Sequence, residues 1–320
     1  MNYVKSLLAL GMSAAMLTGA AYADSNIPCN TARLVVPYGA GGGSDLHARV
    51  IADAYNKLGF EPQLQVVNIT GQGGSKGATE VHNSEPDGCT MLFQHEAILA
   101  SYLTGRVDFS WDDFSPAAMI NVEPAIFAAA PNAPFNNFAE LVTYSKANPG
   151  KVLAAASIAS NTHFIMLQFQ DDLDVEFNII GYEGGRERVT ALLSDTVNVG
   201  QVGESDARQY FPDQLKALAM FSKTRSATLP DVPTALEQGF DIEINVTRGV
   251  LLPSGASDEV LNLYGERFAK VLEEAAVIES MTKMGASVRF ENAKDYSAWW
   301  AIQAANWEKV AKEIGIYKAK

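Results

Sequence analysis

The chain has 320 residues and carries 24 lysines and arginines against 37 aspartates and glutamates, a formal net charge of −13. That balance excludes a nucleic-acid binder, whose phosphate contacts need clustered basic residues, and it supplies no long-range attraction for an anionic ligand. The length suits about two domains at roughly 150 residues each. Residues 1–23 read as a secretory signal: Lys5 supplies the positive n-region, "SLLALGMSAAMLTGA" the apolar h-region, and Ala21-Tyr22-Ala23 the cleavage site. No cysteine follows the h-region directly, which speaks against a lipid anchor, and no later run reaches the ~20 apolar residues of a membrane span. The expectation is an exported chain with no membrane insertion after cleavage.

The mature chain opens with "RLVVP" (Arg33–Pro37), a short apolar strand that runs into the loop "YGAGGGSD". Leu46, Val50, Ala54 and Leu58 then recur at helical spacing, with Ser44 as the expected N-cap, Asp45 in the first turn and Gly59 as the stop. "LQVVNI" (Leu64–Ile69) is a second strand, "TGQGGSKG" a second glycine loop, "ATEVHNS" a short helix and "TMLF" (Thr90–Phe93) a third strand. The alternation continues through "AIFAAAP", "FAELVTYSKANPG", "VLAAAS", "IASNTHFIMLQFQ", "VEFNIIGY", "GGRERVTALLSD", "TVNVGQV", "ESDARQYF" and "KALAMFS". After "INVTRGVLLP" the tail holds two long helical patterns, Ser257–Ala276 and Ala293–Ile314. Trp299, Trp300 and Trp307 in the second read as packing anchors on an amphipathic stripe. Alternating strand and helix predicts α/β architecture with mainly parallel sheets. Cys29 and Cys89 each stand just before a predicted strand. Neighbouring parallel strands would bring them to one sheet edge, so an even count in an exported chain points to a disulfide over two separate buried thiols.

Polar or glycine-rich loops follow several strands at their C-terminal ends, where open α/β sheets hold ligands. In the first loop, Gly42 and Gly43 admit a ligand to the backbone, and the amides that open the next helix have no intrahelical partner. A carboxylate there gains charge-assisted hydrogen bonds. Asp45 beside such a site would repel an anion unless it turns away or holds a water, so its role is either at the ligand or at the helix N-terminus. Gly73, Gly74 and Ser75 repeat the arrangement. Arg33 sits at the base of the first strand and Arg49 one turn into the helix, so lobe 1 is expected to grip the carboxylate through backbone N–H groups and hydroxyls and not through a buried arginine.

The stretches "VPYGAGGGSDLHAR", "TGQGGSKGATEV", "EPDGCTML", "FAELVTYSKANPGKV", "GYEGGRERVTALLSDTVNVG", "LKALAMFSKTRSATLPDVPTALEQG" and "VTRGVLLPSGAS" resemble, in order and over nearly the whole mature chain, the TctC or Bug family. These are periplasmic solute-binding proteins of tripartite tricarboxylate transporters. The resemblance implies a type II periplasmic-binding-protein fold, two α/β lobes with two crossings and a ligand cleft between them. Residues 24–122 with 250–320 would form lobe 1 and residues 123–249 lobe 2, the crossings falling near Asn121–Glu123 and Val246–Val250. It implies a small carboxylate, di- or tricarboxylate or related acid, captured by a monomer and delivered to membrane permease subunits. By position in the family pattern the cleft would be lined by Tyr38, Gly42, Gly43, Ser44, Asp45, Gly73, Gly74 and Ser75 from lobe 1. Lobe 2 would add Ser157, Ser160, Asn161, Thr162, His163, Ser205 and Asp206. Three departures stand out: "NITGQGG" lacks the family's proline, Cys89 replaces an aromatic residue, and Glu183 stands where a lysine is common.

An enzyme is not expected. "GGSKG" matches G-x-S-x-G, but five residues separate Ser75 from its strand, too far for a nucleophile elbow. His47, His82, His95 and His163 have no metal-ligand spacing, so neither metal nor cofactor is expected. A sensor that presents the ligand to a signalling receptor would use the same fold and remains the alternative to uptake.

Overall fold

A computed structural model describes residues 27–313 and 315–319, without the side chain of Ser205. The secretory-signal reading of residues 1–23 lies outside the described residues. The chain begins with β1 (Thr31–Val36), α1 (Gly43–Lys57), β2 (Gln63–Asn68), α2 (Ser75–His82), β3 (Thr90–Gln94), α3 (Ala97–Leu103) and the long β4 (Phe114–Pro124). It continues through β5 (Ile126–Ala129), α4 (Phe138–Ala147), β6 (Val152–Ala156), α5 (Asn161–Leu173), β7 (Phe177–Gly181), α6 (Gly185–Leu193), β8 (Val199–Val202), α7 (Glu204–Tyr210) and β9 (Lys216–Met220). It closes with β10 (Asn245–Pro253), α8 (Asp258–Glu273), α9 (Ala275–Lys283), β11 (Ser287–Asn292) and α10 (Ala293–Glu313).

Among the described residues these strands form two sheets, ordered β11-β4-β10-β3-β1-β2 and β7-β6-β8-β5-β9. The expected α/β, two-lobe architecture is present, but the sheets are mixed and not mainly parallel. The βαβ pairs β1–β2, β1–β3, β6–β7 and β6–β8 are parallel. The strands next to the connections between sheets run the other way: β10 against β3 and β4, and β5 against β8 and β9. The chain leaves the first sheet across Ala125, whose N–H donates to the Ile244 carbonyl at 2.9 Å, and re-enters it from Ile244 into β10.

Strand alternation assigns the faces of the first sheet. Leu34, Val36, Met91 and Phe93 pack with Tyr55, Tyr264 and Phe268 on the side of α1 and α8. Val35, Leu92, Met119 and Leu251 pack with Tyr296 and Trp300 on the side of α10. Trp300 is fully buried and Trp307 stacks on Phe164 at 4.4 Å, so both are packing anchors as expected. Phe164 belongs to α5 of the second lobe yet sits in this first-lobe core, so the two lobes share one apolar contact.

Cys29 and Cys89 are joined, with Cα atoms 6.0 Å apart, at the start of the paired strands β1 and β3. The loop they close spans 60 residues. Reducing the bond, or replacing both cysteines by alanine, is expected to lower unfolding free energy by about 2–4 kcal/mol, because the unfolded chain regains its loop-closure entropy. Urea denaturation with and without a thiol reductant measures this, and an unchanged midpoint would reject the assignment.

Candidate functional site

A cavity of about 240 Å³ opens between the two sheets and is lined by residues from both. Its walls are loops after β1, β3, β6, β7 and β8, together with Glu123 of β4 and Arg248 of β10. Three helices of nine or more residues start at this cavity: α1 after Gly42, α5 after Ser160 and α6 after Gly184. In α1 the first intrahelical bond runs from Leu46 N–H to Gly42 O at 3.0 Å, so the amides of Gly43, Ser44 and Asp45 precede it. The corresponding first bonds in α5 and α6 come from Phe164 and Arg188. Three positive dipole ends therefore meet where the chain as a whole is acidic.

From the first lobe, Tyr38, Gly42, Gly43 and Ser44 line the cavity. The helix starts earlier than expected, with Gly42 as its N-cap, so Ser44 is free of capping and its Oγ instead accepts from Arg248 Nε at 3.1 Å. Tyr38 has its hydroxyl donating to Gln94 Oε1 at 3.0 Å and its ring stacked on His95, which also lines the cavity. The second lobe contributes Ser157, Ser160, Asn161, Thr162 and Asp206. Thr162 Oγ1 accepts from the Ser157 N–H at 2.9 Å and lies 3.1 Å from Ser160 Oγ, which fixes this polar turn.

Several expected site residues lie elsewhere. Asp45 turns away from the cavity. Its carboxylate takes the Gly41 N–H at 2.8 Å, Arg49 Nε at 2.9 Å and Asn68 Nδ2 at 2.9 Å, so it braces the glycine loop. Burial pushes the Asp45 carboxyl up, but these hydrogen bonds and the Arg49 charge outweigh it and hold the group below its ordinary value. Gly73 and Gly74 serve packing. A Cβ at Gly73 would stand 2.6 Å from the Ile158 carbonyl oxygen of the opposite lobe, and one at Gly74 would stand 2.8 Å from the Tyr38 hydroxyl; both glycines also have positive φ. Ser75 Oγ donates to Ser101 Oγ, which in turn donates to the Ala159 carbonyl, a second contact between lobes. His163 accepts the Ala159 N–H on Nδ1 and lines a separate depression with Arg106 and Lys318. The side chain of Ser205 lies outside the described residues.

The sequence reading missed Arg188, Arg248 and Glu123. Arg248 is buried, sits 2.7 Å from Glu123 and stands over the start of α1, with Nη2 3.5 Å from a Cβ built on Gly43. Arg188 donates from Nη1 to Ser157 Oγ at 2.8 Å, while its Nε is buried without a partner. Among the described residues no carboxylate lies within ion-pair distance of Arg188. Burial lowers the Arg188 guanidinium to about 10, still charged at neutral pH. Burial, and then the nearby Arg248 charge, keep His47 and His95 well below the ordinary histidine value, so neither adds a positive charge. One buried and one half-buried guanidinium, Arg248 and Arg188, therefore face this cavity, neither of them borne by the glycine loop.

Glu96, next to His95, is buried with Oε1 accepting the Thr247 N–H at 2.9 Å and Oε2 unpartnered. Burial raises this carboxyl from 4.5 to about 7. A folded value above the unfolded one means that the group's contribution to stability is fully present below about pH 4.5 and is lost as pH rises through about 7. Unfolding free energy is expected to fall over that window by a contribution on the order of 2–3 kcal/mol, which Glu96→Gln removes. Parallel denaturation curves for the two proteins at pH 5 and pH 8 measure it, and equal slopes would refute it.

A family model described as "Tripartite tricarboxylate transporter family receptor" matches residues 47–316. The UPF0065 protein in gbd 5'region of Cupriavidus necator is 28% identical over 318 residues, 98% of this chain and 95% of its own. Protein BugT of Bordetella pertussis is 26% identical, with 98% and 99% covered. Among solved structures, periplasmic binding protein BugD has a TM-score of 0.81 at 28% identity, covering 90% of this chain and 98% of that one. R. palustris Rpa4515, solved with adipate, has a TM-score of 0.82 at 24% identity over the same shares.

Proposed function

Since the chain belongs to the tripartite tricarboxylate transporter receptor family, we propose that it captures a small organic acid in the cleft by its carboxylate and delivers it to the membrane permease of such a transporter. The family is one of receptors, and the chain is a binding protein, not an enzyme. The observation that carries the carboxylate reading is Arg188: a guanidinium held by Ser157, lacking an anionic partner, where three helix N-termini meet. An unpaired cation in such a place costs stability unless a ligand anion completes it. The cavity volume limits the acid to a small one. In this reading Gly42, Gly43 and Ser44 offer amides and a hydroxyl from one lobe, and Ser157, Ser160 and Thr162 offer hydroxyls from the other. The lobes hinge at the connections on either side of β4 and β10, export follows the signal in residues 1–23, and the mature chain works in the periplasm as a monomer.

A thermal-shift screen of the chain from residue 24 onward tests the reading. Mono-, di- and tricarboxylic acids are compared with their neutral amides. A bound acid at a hundred times Kd adds about 2.7 kcal/mol to folding and raises Tm by several degrees. Stabilisation by the amides alone would refute the carboxylate reading.

A further inference from the structure

The cleft is not uniformly attractive to anions. Beside its donors, the first amides of α1, the Ser44 hydroxyl and Arg188, the wall also carries acceptors at the ends of β4 and β8 and at the start of α7. Gln201 is 8% exposed, lines the cavity, and its Oε1 has no partner. Asp206 also lines it; its carboxyl accepts the Gly203 N–H and makes no ion pair with any described residue. Glu123 completes the group, already committed to Arg248 at 2.7 Å. Asp206 and Arg188 both stand on second-lobe helices, near enough to influence each other's charge yet with no ion pair between them, so one wall of the cleft carries an unpaired acid and an unpaired base.

Resting on the carboxylate reading above, we infer that the ligand carries a protonated amine as well as a carboxylate, with Arg188 taking the carboxylate and Asp206 with Gln201 taking the ammonium. A plain dicarboxylate would set one of its charges beside Asp206 and would leave the Gln201 oxygen buried and unpaired. An ammonium group supplies three donors, enough for the Asp206 carboxylate and the Gln201 oxygen. It also cancels the charge that Asp206 brings to a site with few cations. The two uncommitted charges then close on the ligand and not on each other.

Matched pairs test this on the chain from residue 24 onward: L-aspartate against succinate, L-glutamate against glutarate, and L-alanine against propionate, titrated in a calorimeter. In at least one pair the amino member is expected to bind ten-fold tighter or more. Asp206→Asn is expected to bring that ratio near one while the unliganded melting temperature holds. Gln201→Leu, which removes the acceptor without adding charge, should reduce the ratio in the same direction. If acids bind but the amino group brings no advantage, or if Asp206→Asn and Gln201→Leu leave the ratio intact, the ammonium assignment falls and the carboxylate reading stands. If no member of any pair binds and other carboxylates also fail, both fall.

Discussion

Arg188→Ala is expected to weaken carboxylate binding by about 2–4 kcal/mol, on the order of 30- to 1000-fold in Kd. The guanidinium is the one uncommitted cation among the described residues of the cleft wall that is buried enough to interact strongly, and truncation removes its charge and its fork of donors together. The unliganded protein should respond in the opposite sense. Arg188 stands in the first turn of α6, where the dipole repels a cation, and among the described residues its side chain hydrogen-bonds only to Ser157. Removing it should leave Tm unchanged or raise it. Arg188→Lys keeps the charge but loses the planar fork, and should fall between the two. Binding to the unaltered protein should hold to about pH 9 and fade as pH rises past the Arg188 value of about 10. Arg186→Ala should cost less, because that side chain is exposed. A large loss of stability with affinity unchanged would make Arg188 a structural residue.

Glu123→Ala is expected to cost about 3–5 kcal/mol of folding stability. Glu123 and Arg248 are each 7% exposed in their side chains, sit 2.7 Å apart, and bind together β4 and β10, the strands that border the connections between lobes. Removing the acid leaves a buried guanidinium whose remaining recorded hydrogen bond is to Ser44. Replacing both partners, Glu123→Leu with Arg248→Met, should recover most of the loss, since a buried ion pair gains little over apolar groups of similar size. For contrast, Asp53→Asn breaks an exposed pair with Lys57 and should cost under about 0.5 kcal/mol. Urea denaturation of the four proteins separates these outcomes. A Glu123→Ala cost as small as that of Asp53→Asn would show the pair to be energetically idle.

The α/β alternation was legible because strand and helix periods differ, and the glycine and proline punctuation marks their ends. The parallel sheets were over-predicted because pairing partners distant in sequence, such as β4 with β10, leave no local sign of direction. Short elements were lost for a related reason. The apolar run of α3 suits a helix or strand equally, and β11 is a mostly exposed edge whose partner lies far away in the chain. At the site, hydroxyl and glycine loops were found because turn chemistry is local. The arginines were overlooked although each left a mark. Arg188 is a basic residue in a helix's first turn, and Arg248 and Glu123 are charges inside otherwise apolar strands; each breaks a local rule and so asks for a partner. Asp45 misled in the other direction. It sits next to the glycine loop in sequence, but Arg49, one turn later, draws its carboxylate out of the cavity.

On the proposed reading the cleft holds a carboxylate on Arg188 and the surrounding helix amides. The measurement that tests it most directly is calorimetric titration of one acid identified by the thermal-shift screen, alongside its uncharged amide, into the unaltered chain and into Arg188→Gln. The acid should bind the unaltered chain one-to-one and saturably and the variant at least thirty-fold more weakly, and the amide should bind neither measurably. Equal affinity of the two proteins for the acid, or tight binding of the amide, would contradict it.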